Sequence, residues 1–97
     1  MPTYIMLAKW TDQGIRNVKE SSQRLDAAKK SIEAAGGKMI GFYLTMGRYD
    51  TVAIAEFPSD EAGMGILLSL GSGGSLRTET MTAYPEDQYR NIIAKIP

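Results

Sequence analysis

The chain of 97 residues contains no Cys and no His, and its 11 basic side chains balance 11 acidic ones. Those counts describe one domain without disulfides, without a thiol nucleophile and without the imidazoles that supply most general bases and metal ligands. A neutral surface with interspersed charges offers no electrostatic footprint for nucleic acid or an anionic membrane, and no apolar run approaches the ~20 residues of a membrane helix. The N-terminal residues show no basic segment followed by an apolar core, so the expected location is the cytoplasm.

Residues Thr3–Trp10 alternate as a strand, with Tyr4, Met6, Ala8 and Trp10 on one face and Ile5, Leu7 and Lys9 on the other. Thr11 or Asp12 is placed to cap a short helical segment carrying Ile15 and Val18. Ser21 or Ser22 then caps a longer helix on which Leu25, Ala28, Ile32 and Ala35 share one face. Gly36-Gly37 ends it, as residues free to adopt positive φ usually do.

Residues 38–57 form two strand-like runs around Gly47-Arg48, a tight hairpin signal. Strict alternation places Ile40, Phe42, Leu44 and Met46 on one side of the first run and Met39 and Tyr43 on the other. In the second, Val52 and Ile54 oppose Tyr49, Ala53, Ala55 and Phe57. Pro58-Ser59 stops the strand and caps a fresh helix, with Asp60 and Glu61 favourable to its dipole. Met64, Ile66, Leu67, Leu68 and Leu70 make that helix apolar around much of its circumference, although Gly63 and Gly65 cost it about 1 kcal/mol each. It is therefore expected to be buried on several sides or approached closely at its glycines. Residues 71–75 connect to a Thr-rich strand over 76–84, and Pro85 opens an amphipathic tail carrying Tyr89, Ile92, Ile93 and Ile96.

The order β-α-β-β-α-β plus a C-terminal helical tail predicts an α+β, ferredoxin-like split β-α-β sandwich as a single domain over residues 1–97. Its four antiparallel strands carry both crossover helices on one face. A sheet with one wet face should alternate apolar with polar, yet the first three strands are apolar on both sides. The uncovered face would be an apolar patch of several hundred Å², larger than a soluble monomer normally shows. The expected cover is a second copy of the chain, the C-terminal tail, or both. A cavity between such sheets, lined by Tyr, Trp and Met, would be a natural small-molecule pocket.

Asp50 is the outstanding candidate residue, because an acid just inside a central strand must face water, pair with a cation or do chemistry. As a structural residue it bonds donors in the turn. As a functional one it joins Tyr43, Tyr49 and Thr45 in an acid/base set, since an apolar setting raises a carboxyl pKa toward proton transfer. Lys9, Trp10, Arg24, Arg77 and Glu79 are the further candidates for ligand contact at a pocket rim, with solvated or paired surface charges as the alternative for the ionic ones. The glycine-rich 71–75 loop is no phosphate cradle: it leaves a helix C-terminus, carries no Lys and enters a strand. Asp60-Glu61 and Glu86-Asp87 read as helix-start acids, so neither metal nor cofactor is expected.

The segments Lys9-Trp10-Thr11, Gly14, Ser21 to Arg24, Gly41-Phe42-Tyr43, Gly47-x-Tyr49-Asp50 and Arg77-Thr78-Glu79-Thr80 together resemble the GYD-domain family of small bacterial proteins. The resemblance spans roughly residues 3–94 and departs at Ser22, where many members carry Pro. It implies a ferredoxin-like fold of the dimeric α+β barrel class and brings no established activity with it. Three functions follow as expectations. The leading one is a homo-oligomer that binds a small, partly apolar molecule at a sheet or dimer interface. The second is a cofactor-independent isomerase, lyase or monooxygenase-like enzyme of the same class, with Asp50 as acid/base and Tyr43 or Tyr49 donating to developing charge. The third is a non-catalytic assembly or regulatory module.

Overall fold

A computed structural model describes residues 1–97. Strand β1 (Thr3–Trp10) leads through a short helix α1 (Asp12–Arg16) and a 3₁₀ turn (Val18–Glu20) into helix α2 (Ser21–Ala34). Strands β2 (Lys38–Leu44) and β3 (Thr51–Glu56), helix α3 (Asp60–Ser72), strand β4 (Leu76–Ala83) and helix α4 (Glu86–Ala94) complete the chain. The four strands form one sheet in the order β2-β3-β1-β4, with every neighbouring pair antiparallel. This is the ferredoxin-like arrangement expected from the element order.

Local chemistry accounts for the element boundaries. The Thr11 hydroxyl accepts from the Gly14 amide at 3.1 Å to start α1, and Ser59 accepts from Ala62 at 3.2 Å to start α3. Gly36 at φ 85° ends α2. The expected serine cap of α2 is absent: Ser21 is already helical, and the preceding 3₁₀ turn feeds straight into the helix from Glu20 without a side-chain cap.

Three expectations about the hairpin are corrected. Leu44 and Thr51 are paired, so β2 and β3 are joined by residues 45–50 rather than by a two-residue turn. Asp50 therefore lies just before β3, not inside it. Alternation along β2 is also broken by a bulge between Met39 and Gly41. The extra residue resets the phase, so Met39, Phe42 and Leu44 stand over Ala55, Ala53 and Thr51 on the helix side of the sheet. Ile40 is expelled to 54% exposure, and Met46 sits in the loop at 99%.

The dry core occupies one end of the helix–sheet layer. Tyr4, Ile32, Ala55, Phe57 and Ile66 are buried there, with the Tyr4 and Phe57 rings meeting edge-on at 5.5 Å. Gly63 lets α3 approach that cluster: a Cβ at this position would stand 3.2 Å from the Phe57 ring. The outer side of α3 is not covered, since Met64 and Leu68 are exposed. On the opposite face of the sheet Ile5, Leu7, Val52 and Ile54 are only half-buried, and Met81 is exposed beside them. Helix α4 leaves this face bare; Tyr89, Ile92 and Ile93 are all exposed on it. The Cα radius of gyration of 14.6 Å exceeds the ~12–13 Å of a compact chain of this length, consistent with a tail that stands off the domain.

Candidate functional site

The core does not continue to the other end of the layer. Where β1 reaches Trp10 and β3 begins at Thr51, α2 stands away from the sheet over a cavity of about 580 Å³. Met6, Trp10, Phe42, Leu44, Leu70 and Leu76 supply its apolar walls, and Ala8, Ala28 and Ala53 leave room in its floor and roof. The α2 face foreseen from spacing, Leu25-Ala28-Ile32, forms the ceiling. The volume falls within the ~300–1,000 Å³ of small-molecule sites. One end of the cavity is held by the junction between β1 and α1. There the Thr11 amide donates to Ser75 O at 3.1 Å, and its hydroxyl donates to Gly74 O at 2.5 Å. Gly14 is required at this junction, because a Cβ would lie 2.1 Å from Ser75 O.

The sheet separates the candidate residues into two groups. Trp10 and Arg24 line the cavity. Lys9, Tyr49 and Glu79 gather on the opposite side at the same end of β1. The Tyr49 hydroxyl donates to the Glu79 carboxylate, and Lys9 Nζ lies 5.5 Å from the Tyr49 ring centroid. That hydrogen bond, reinforced by lost hydration and the carboxylate's charge, raises the Tyr49 pKa, with Arg48 opposing it. Arg77 faces Lys9 in register across β1 and β4. Tyr43 is exposed on the same uncovered side, its ring 3.3 Å from where a Gly41 Cβ would be.

Asp50 and Thr45 belong to the loop between these groups. The Asp50 amide donates to Ala8 O, its carboxylate Oδ2 accepts from the Trp10 amide, and its carbonyl accepts from the Thr45 amide, each at 2.9 Å. Thr45 Oγ1 also donates to Tyr49 O at 2.7 Å. Asp50 thus extends the β1–β3 ladder past its last backbone pair by using its side chain as an acceptor. Neither the larger cavity nor the one between α3 and β4 is lined by Asp50, Tyr49 or Tyr43. No group of three or more Asp or Glu residues gathers to hold a metal ion.

A second polar site was not foreseen. The Tyr4 hydroxyl donates to Asp60, and this bond, with burial and the adjacent negative charge, pushes the phenol pKa up to about 12. Both residues line a smaller cavity of about 240 Å³ between α3 and β4. Nothing in the local spacing links positions so far apart in the chain. The phase reset at Gly41 did have a sequence signal, an isolated glycine inside a strand.

The family model described as the GYD domain matches residues 4–93. The chain belongs to the GYD domain family. A relative from Thermus thermophilus, named glutamine synthetase and cystathionine beta-lyase binding protein, is 30% identical over 86 residues, covering 88% of this chain and 90% of its own. The crystal structure of TTHA0845, also from Thermus thermophilus, superposes with a TM-score of 0.54 at 23% identity, over 87% of this chain and 94% of the other. That likeness concerns the fold. No helix of this GYD domain is long and apolar enough to cross a membrane.

Proposed function

We propose that this GYD domain binds a small, partly apolar molecule in the cavity between α2 and the sheet. The observation that carries this reading is the 580 Å³ space itself, walled by Met6, Trp10, Phe42, Leu44 and Leu70 at the point where a domain of this size would ordinarily close its core. The site differs in place from the inter-sheet pocket expected from the sequence, because Phe42 and Leu44 pair with Ala53 and Thr51 and so face the helices. Trp10, the single tryptophan, reports on occupancy. Titration of the protein with apolar carboxylates, amides and alcohols should shift its fluorescence saturably, and native mass spectrometry should give the adduct mass. Ala28→Phe, which fills the ceiling, should abolish both while far-ultraviolet circular dichroism and the unfolding midpoint stay near wild type. Undiminished binding by that variant would refute the location.

The bare surfaces favour a second activity, protein docking. The uncovered sheet face and the Tyr89-Ile92-Ile93 stripe of α4 are apolar surfaces for which the chain has no internal partner. A second copy would cover both, and a Thermus relative named for binding two enzymes supports protein partners in general. Light scattering should give twice the monomer mass at micromolar concentration, and Val52→Lys should return the monomer with its fold intact. A wild-type monomer would refute self-association.

A further inference from the structure

The cavity wall contains one charged side chain, and its hydrogen-bonding capacity is largely unused. Among the lining residues Arg24 is the only ionisable one; the remaining polar wall is built from Ser and Thr hydroxyls, including Ser21, Ser75 and Thr51. A guanidinium offers five N–H donors in a planar fork. Here Nη1 makes a long 3.3 Å bond to Asn17 O and stands 4.0 Å from Glu20 Oε2. Nη2 is shut off from water and meets no acceptor at all. The side chain as a whole is 33% exposed, so the charge keeps part of its hydration while this one donor goes unpaired beside apolar walls.

The other cations near this end of the sheet do not compete for the role. Lys9 and Arg77 lie on the far side of β1 and β4, where Tyr49 and Glu79 hold the acid–base contacts. Of the nearby acids, Asp50 is engaged with the Trp10 amide, and Glu20 stands 4.0 Å from Arg24 with its side chain 68% exposed. The one ionisable group in the cavity lining is therefore this cation on α2, its nearest counter-charge an exposed carboxylate outside the lining.

We infer that the ligand of this cavity is an organic acid, its apolar body against Trp10, Phe42 and Leu70 and its carboxylate on Arg24. This rests on the small-molecule reading above and assigns its chemical class. The guanidinium gives up only the long Asn17 contact and the distant Glu20 pair when it turns to receive a carboxylate bidentately. An amide of the same shape supplies one acceptor and no charge, so it recovers little of this gain. Inorganic phosphate has the charge but nothing to fill the apolar walls.

Calorimetric titration with cyclohexylacetate, cyclohexylacetamide and inorganic phosphate tests the assignment, using wild type and Arg24→Met. Wild type should bind the acid at least about tenfold more tightly than the amide, the factor equivalent to 1.4 kcal/mol. Arg24→Met should lose that preference while still binding the amide, which a variant that failed to fold would not do. Equal affinities in wild type, a preference that survives in Arg24→Met, or phosphate binding as well as the acid would each overturn the assignment and leave the cavity reading standing. Binding of neither organic probe at millimolar concentration would sink both.

Discussion

Asp50→Ala is the substitution that distinguishes anchoring from chemistry most directly. The Asp50 carboxylate accepts the Trp10 amide at 2.9 Å in a half-buried setting, and its backbone amide holds Ala8 O at the same distance. Alanine keeps the backbone contact but leaves the Trp10 N–H without its acceptor, at about 1–3 kcal/mol. Asparagine keeps an acceptor of the same reach and loses only the charge, so its cost should stay below about 1 kcal/mol. For a domain of this size the alanine variant should melt at least about 4 °C lower. Urea unfolding at a fixed protein concentration, followed by circular dichroism, should move the midpoint in the order wild type, Asn, Ala with an unchanged slope. An alanine variant within about 0.5 kcal/mol of wild type, or an asparagine variant as unstable as alanine, would refute the ladder role. It would return Asp50 to the residues kept for chemistry.

Three further outcomes follow from the geometry. Gly14→Ala drives a Cβ against Ser75 O and should cost about 1–3 kcal/mol or more in urea unfolding, whereas Gly65→Ala meets nothing within 4 Å and should add up to about 1 kcal/mol. The Tyr4 phenol, raised from 10.0 to about 12, binds its proton more tightly folded than unfolded. Its contribution is complete below pH 10 and fades as pH rises through 12, so alkaline unfolding over that window should flatten in Tyr4→Phe. Removing residues 86–97 should leave the monomer's stability within about 0.5 kcal/mol, because every residue there is exposed, while weakening any self-association seen by light scattering.

Much of the fold was legible because it depends on local chemistry. The alternation of Thr3–Trp10, the Leu25-Ala28-Ile32 face, the Ser59 cap and the positive φ of Gly36 each follow from a few neighbouring residues. The order of elements then left one common topology. The site was much less legible. Whether α2 rests on the sheet or stands off it depends on the summed size of Ala8, Ala28 and Ala53 against Leu25 and Phe42, residues drawn from four elements. Lys9 and Trp10, adjacent in sequence, end on opposite sides of the sheet, so the polar residues near one strand end could not by themselves say which ones meet. The Tyr4–Asp60 bond joins residues 56 positions apart and left no short-range trace.

The bulge at Met39/Gly41 has a consequence for how this pocket tolerates change. Because Ile40 is the surplus residue, Met39 shares the helix side with Phe42 and Leu44 although three positions separate Met39 from Phe42. Deleting Ile40 would straighten the ladder: the Met39–Ala55 and Gly41–Ile54 pairs would follow in regular succession, leaving Phe42 and Leu44 over Ala53 and Thr51 and the pocket wall in place. A relative with one residue fewer here would keep both the fold and this interior, and lose an outward-facing isoleucine.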